Sequence, residues 1–143
     1  MFSTDHLHPM LVHFPIALVI FGFLSEGIAF FDKKRYVFFS KAGFYLLISG
    51  TIAAVFTLLS GLFFTPVMAG AAGEIKETHE LLAWITVILL IVTLIVRTVY
   101  ETGKRAIAPL KSAGTLLYAL ATVSVIVTGF YGGSLVFDYM MPL

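Results

Sequence analysis

The chain has 143 residues, of which 59% are hydrophobic and 12% are charged, and its formal net charge at pH 7 is +1. Soluble domains carry about 25% charged residues, so this composition indicates a membrane protein. The net charge says nothing about nucleic acid, but the sequence shows no basic surface for binding it. The chain contains no cysteine. This excludes disulfides, thiolate metal sites and haem attached covalently through a Cys-x-x-Cys-His motif.

Four apolar runs follow one another along the chain, at about residues 9–31, 42–64, 74–100 and 113–137. Each run is long enough for a helix that crosses a bilayer, which needs about 20 residues. The connections between the runs are too short for a soluble domain, and no internal repeat is evident. The sequence therefore predicts a single all-α domain over residues 1–143, a four-helix transmembrane bundle that runs up-down-up-down.

Basic residues are concentrated on one side of this predicted bundle. Eight of the nine lysines and arginines flank the first and third connections, and only Lys76 lies in the second. The positive-inside rule then places the first and third connections in the cytoplasm and both termini on the periplasmic side of a bacterial cytoplasmic membrane. The first run has no basic leader and is too long for a signal peptide, so we expect it to remain as a helix.

The first run opens with DHLHPMLVHFPIAL, which places three histidines at its entrance. His13 lies inside the run, and His8 precedes Pro9, a residue suited to the first turn of a helix. His6 is expected to lie outside the helix, at the surface. Pro15 lacks a backbone N–H and interrupts or bends a helix. A kink there could turn His8 towards the side that His13 occupies.

The third run begins at His79, and its polar residues recur at helical spacing on one line, through Thr86 and Thr93 to Arg97. Polar side chains in a membrane turn towards the bundle interior, because lipid cannot satisfy them. We therefore expect His79 to face inward. His13 and His79 precede the inner ends of two parallel helices by equal numbers of residues, which places the two imidazoles at a similar depth near the outer surface.

Small and hydroxyl-bearing residues gather at the outer ends of the second and fourth helices, notably Thr57, Gly61, Thr128 and Gly132. Such residues let membrane helices approach each other closely. They also leave room beside His13 and His79, as a flat macrocycle between two imidazoles would require. Lys76 is the one basic residue on the outer side, so it is a candidate partner for haem propionates.

Glu26 is the one acidic residue inside the first apolar run, near its inner end. Acidic residues within membrane segments are candidates for proton or quinone chemistry. A structural role is the simpler interpretation, in which Glu26 snorkels to the surface or pairs with Arg97 or Lys41. Arg97 ends the polar line of the third helix at the inner surface, where snorkelling explains it.

Two neutral imidazoles without a thiolate favour b-type haem. We expect His13 and His79 to ligate one haem near the outer surface, with His8 as the substitute for His13. The protein is then an electron carrier or an oxidoreductase subunit rather than a stand-alone enzyme. It would exchange electrons with quinol or a periplasmic redox partner, and it could belong to a larger respiratory complex or a homo-oligomer.

Two other classes of function stay open. In one, the protein binds copper or zinc through His6, His8, His13 and His79. In the other, it is a structural or transport subunit without a cofactor. The histidines would then lie at the membrane interface, and Glu26 and Arg97 would form the interior pair. Nothing in the sequence indicates hydrolysis or group transfer.

The motif HPMLVHFPIAL, together with His79 and the terminal GFYGGSLVFDY, resembles a bacterial family of small membrane proteins known only as a domain of unknown function. The resemblance covers nearly the whole chain and implies the four-helix fold. Members of that family are sometimes joined to c-type cytochrome domains, which implies an electron-transfer setting and a c-type cytochrome as partner. This chain departs from the family pattern at DYMMP, where a His-Gly or Tyr-Gly continuation is expected.

Overall fold

The protein is described here by a computed structural model for residues 7–32, 34–103 and 108–139, without the side chains of Leu7 and Ala108. The helices in this part of the chain are α1 (Leu7–Leu11), α2 (His13–Phe31), α3 (Tyr36–Phe64), α4 (Gly70–Thr102) and α5 (Ala108–Phe137), and it contains no strand. Together α1 and α2 form one span, and the four spans are long and apolar enough to cross a membrane. The predicted all-α, four-span fold is confirmed.

The helices extend beyond the apolar runs that the sequence marks. The second helix begins at Tyr36 instead of about residue 42, and the third begins at Gly70 instead of about residue 74. Helical hydrogen bonding continues where the chain leaves the hydrocarbon region, since backbone N–H and C=O groups need partners there as well. The boundaries predicted from hydropathy therefore mark the apolar part of each helix and not its ends.

The first span is interrupted at Val12, between α1 and α2. Pro15 has no N–H to donate to the carbonyl of Leu11, so that carbonyl is left without its helical partner. It accepts a hydrogen bond from the hydroxyl of Thr57 on α3, at 3.3 Å. The predicted interruption near Pro15 is thus present, and a contact with the neighbouring helix compensates for it.

The four spans form two helical hairpins, α2 with α3 and α4 with α5, and the hairpins pack against each other. The centre of the bundle is an apolar layer of residues that are completely inaccessible, Val19, Leu47, Leu90 and Ala121. Large apolar side chains such as Phe21, Phe38 and Phe130 are more than half exposed. They occupy the outer surface of the bundle, where a membrane protein contacts lipid.

The two hairpins are repeats of each other, with equivalent residues 71 positions apart. Starting at Ala42 in α3 and at Ala113 in α5, the chain shows the same pattern Ala-Gly-x-x-Leu, followed at equal spacing by two threonines and a glycine. Thr51 and Thr122 are equivalent in this alignment, and each donates a hydrogen bond to the carbonyl four residues before it. The expectation that the chain has no internal repeat is therefore wrong.

Equivalent residues of the two repeats meet each other inside the bundle. His8 lies beside His79, and Glu26 binds Arg97. Residues meet their own equivalents only on a twofold axis, so the hairpins are related by an approximate twofold axis that runs lengthwise between them. We call the end of the bundle that carries His8 and His79 the histidine end, and the end that carries Glu26 and Arg97 the charged end.

Candidate functional site

A cavity of about 290 Å³ lies on the axis at the histidine end, between the two hairpins. We call it the histidine pocket. Equivalent residues line it from both sides, namely His8, Thr57 and Gly61 from the first repeat and His79, Thr128 and Gly132 from the second. The small residues that the sequence placed at the outer ends of the second and fourth helices are thus brought together around one space.

His8 is buried and its ring is held by the end of α3. Its Nδ1 lies 3.1 Å from the carbonyl oxygen of Thr57 and 3.0 Å from the hydroxyl of Ser60. That hydroxyl itself donates to the same carbonyl, at 2.7 Å. Because a carbonyl oxygen only accepts, Nδ1 carries the proton of the neutral ring, and Nε2 keeps its lone pair. His8 is therefore poised as an Nε2 ligand.

His79 is held in the equivalent way by α5. Its Nδ1 lies 3.0 Å from the carbonyl oxygen of Thr128, and this contact spans 49 residues of sequence, as does the contact from His8 to Thr57. The hydroxyl of Thr128 is fixed in turn, since it lies 2.9 Å from the hydroxyl of Thr86. Histidines that ligate metals typically donate their other N–H to a backbone carbonyl, which sets the tautomer and the ring orientation.

The two imidazoles face each other across the axis. Their ring centroids are 6.1 Å apart, and the ring planes make an angle of 74°. A β-carbon on Gly61 would lie 2.9 Å from Cε1 of His8, and one on Gly132 would lie 3.0 Å from Cε1 of His79. Among the residues that the structure describes, neither Nε2 has a hydrogen-bond partner. Each ring thus packs against a glycine, and its Nε2 is available to bind a ligand.

His13 is the predicted ligand that lies at the edge of the histidine pocket. Its side chain borders the pocket but is exposed, and its Nδ1 contacts the carbonyl of Pro9 in the preceding turn, at 3.0 Å. Its equivalent in the second repeat is Trp84, which is also exposed. The structure therefore brings His79 together with His8, and a ligand role for His13 stays a prediction. His6 lies outside the described residues.

Lys76 borders the pocket near the start of α4. Its Nζ donates to the carbonyl of Pro66 at 2.9 Å and lies 3.3 Å from a carboxylate oxygen of Glu80. The ammonium group is thus held at the edge of the pocket by the connection between the hairpins. Its proposed contact with haem propionates stays a prediction.

The family described as predicted membrane protein DUF2231 has a model that matches residues 4–142 of this chain. The chain belongs to this family. The family resemblance in the histidine motifs is thereby confirmed, and the description gives a membrane location without an activity. Comparison with curated proteins and with solved structures finds no match.

This DUF2231 protein also holds a buried ion pair at its charged end. The guanidinium of Arg97 contacts the carboxylate of Glu26 through both terminal nitrogens, at 2.9 and 2.5 Å. Arg97 is only 1% exposed, so the snorkelling interpretation of this residue is wrong. The pairing of Glu26 with Arg97 is confirmed. The alternative without a cofactor combined this ion pair with histidines at the membrane interface, whereas the structure combines it with a buried His8.

Proposed function

We propose that this protein binds one b-type haem in the histidine pocket, with His8 and His79 as the axial ligands, and that it serves as a membrane electron carrier. The observation that carries the proposal is the matched pair of imidazoles. Both have Nδ1 directed at a carbonyl, both leave Nε2 without a partner among the described residues, and both lie on the axis between the repeats.

The separation of the rings supports this ligand set. A metal–nitrogen bond of about 2 Å on each side of one ion places the centres of two axial imidazoles about 6 Å apart. The centroids of His8 and His79 are 6.1 Å apart. The spacing of the two rings is therefore compatible with both imidazoles binding one ion between them.

The number of ligands favours haem over an isolated copper or zinc ion. Structural zinc sites use four protein ligands and catalytic zinc sites use three. In residues 7–32, 34–103 and 108–139, no group of three histidine or carboxylate side chains forms a metal site. Two imidazoles complete the coordination of haem iron, because the macrocycle supplies the other four nitrogens. The small residues around the pocket support a flat ligand between the hairpins, and Gly61 and Gly132 leave the imidazole rings the space that side chains would fill.

Bound haem would supply a one-electron couple whose potential depends on its axial ligands and surroundings. The pocket lies near one end of the bundle, so one haem there exchanges electrons at a single membrane surface. We place that surface on the periplasmic side of the bacterial cytoplasmic membrane, since the basic residues flank the opposite end. Quinol and a c-type cytochrome or another periplasmic redox protein are the proposed partners, alone or within a larger respiratory complex.

The test is the absorption spectrum of the protein purified from haem-replete cells, oxidised and then reduced with dithionite, together with its iron, copper and zinc content. We expect a Soret band, sharp α and β bands on reduction, and one iron per chain. Copper or zinc without these bands would indicate the metal-site alternative. Protein without either pigment or metal would indicate a structural or transport subunit.

A further inference from the structure

The charged end contains two buried polar atoms for which the described residues offer no hydrogen-bond partner. They are Nε of Arg97 and the hydroxyl oxygen of Tyr118. Tyr118 is 1% exposed and lies within the bundle core. A buried hydroxyl without a partner is unfavourable, because it has lost its hydrogen bonds to water. An unpartnered phenol beside a buried ion pair therefore suggests a second arrangement in which the hydroxyl is used.

The packing of α2 shows where this hydroxyl points. A β-carbon on Gly22 would lie 2.0 Å from the hydroxyl oxygen of Tyr118, so the phenol occupies the space of the missing side chain. Gly22 lies one helical turn before Glu26 on the same face of α2. Helical side chains lean towards the N-terminus of their helix. A rotamer change of Glu26 along α2 would therefore bring its carboxyl group towards the Tyr118 hydroxyl.

Arg97 has an alternative carboxylate partner as well. Its Nη2 lies 3.2 Å from the carboxylate of Glu101, one turn further along α4. The side chain of Glu101 is 33% exposed, whereas that of Glu26 is 10% exposed. The carboxylate of Glu101 is thus accessible to water while it is paired with Arg97. A carboxylate left in the membrane interior without its guanidinium must be neutral, so Glu26 would take up a proton when Arg97 pairs with Glu101 alone.

We propose that Glu26 is a proton-binding site with two states. In one state Glu26 is ionised and holds Arg97, as in the structure. In the other state Glu26 carries a proton taken from water at the charged end, its carboxyl group is hydrogen-bonded to Tyr118, and Arg97 is paired with Glu101. A phenol both donates and accepts, so it suits a neutral carboxyl group.

Among the described residues, further charged and titratable groups near Glu26 lie on α3, α4 and α5, and the one on α4 is Tyr100, which interacts with Tyr36 and Lys111. Lys111 on α5 contributes a positive charge near Glu26, and its Nζ lies 3.0 Å from the hydroxyl of Tyr36 on α3. Lys111 favours the ionised state, and Glu101 favours the protonated one. The apolar layer separates this site from the histidine pocket, so the proton site stands without the haem.

The experiment is infrared difference spectroscopy of the full chain in lipid nanodiscs, titrated from neutral to acidic pH. We expect the carbonyl band of a protonated carboxylic acid to appear with acidification, and to be absent in Glu26→Gln. Tyr118→Phe should move that band to the frequency of a free carboxyl group. It should also lower the proton affinity of Glu26 about fivefold, which is the worth of one net hydrogen bond.

The matched control is Tyr45→Phe, because Tyr45 is an exposed tyrosine of α3. It should leave both the frequency and the titration midpoint of the band unchanged. The proposal is overturned if no Glu26-dependent band appears before the protein unfolds. It is also overturned if Tyr118→Phe matches the wild-type protein in both frequency and midpoint. Neither result depends on whether the protein contains haem.

Discussion

Replacing Gly132 by alanine tests whether the glycines set the position of the imidazoles. The new β-carbon would lie 3.0 Å from Cε1 of His79, whereas carbon atoms in contact prefer about 3.5–4.0 Å. The ring must therefore move by a few tenths of an ångström. Ligand–metal distances in a working site vary by only about 0.2 Å. A movement of this size is expected to weaken haem binding about 10–100-fold, as changes to the groups that orient a ligand do.

The assay is a haem titration of protein from haem-deficient cells, followed by the Soret band. Gly61→Ala should weaken binding to a similar extent, because its β-carbon would lie 2.9 Å from Cε1 of His8. Gly27→Ala is the control, since nothing lies within 4 Å of its β-carbon. Circular dichroism and thermal unfolding should show that all three variants are folded. A displaced ligand is expected to lower the haem affinity about tenfold or more. A haem affinity of Gly132→Ala within about twofold of the wild type would therefore refute this prediction.

Three further results are expected. Arg97→Gln should lower the free energy of unfolding at pH 7 by about 3–5 kcal/mol, because Glu26 loses its partner and stays buried only by taking up a proton at a pH well above its ordinary pKa. Denaturation in mixed detergent measures this, and a loss below about 1 kcal/mol would contradict it. The double variant with Glu26→Arg and Arg97→Glu should recover much of that stability, because the twofold axis makes the two positions equivalent. A double variant no more stable than Arg97→Gln would contradict this equivalence. Thr86→Val removes two side-chain hydrogen bonds, to Ser124 and Thr128. It should lower the free energy of unfolding by about 1 kcal/mol for each bond, and an unchanged free energy of unfolding would contradict this.

The sequence is sufficient for the fold because the signal for membrane helices is strong and local. Runs of apolar residues in the bilayer must be helical, since only a helix satisfies its own backbone groups there. The inward face of α4 was predicted for the same kind of reason. Its polar residues lie on one line, and Thr86, Thr93 and Arg97 are all buried. The gathering of small residues near the histidines likewise follows from their positions near the ends of antiparallel helices.

The choice between His8 and His13 depends on contacts that hydropathy does not record. The two residues lie on either side of the break at Val12. The rotation of α1 about its axis relative to α2 depends on the hydrogen bond from the hydroxyl of Thr57 to the carbonyl of Leu11, two residues that are 46 positions apart in sequence. The hydrogen bond from His8 to the carbonyl of Thr57 spans 49 residues. No local pattern encodes either contact, so depth alone favoured His13.

The repeat could have been found from the sequence. The shared spacing of Ala, Gly, Leu and Thr in α3 and α5 is visible once the chain is aligned with itself at an offset of 71 residues. The sequence similarity between the repeats is weak in α2 and α4. There, Glu26 is equivalent to Arg97, and these two residues carry opposite charges. In that alignment His8, and not His13, is equivalent to His79. The repeat would therefore have selected the pair on the axis.

The most direct test of the account compares the absorption spectra of three histidine variants, oxidised and reduced, after purification from haem-replete cells. His8→Ala and His79→Ala should each lose the bis-imidazole spectrum. His13→Ala should keep it, because His13 is exposed and its ring is turned to the carbonyl of Pro9. Loss of the spectrum in His13→Ala with retention in His8→Ala would contradict the ligand pair proposed here. A wild-type protein without haem bands would contradict the haem site itself.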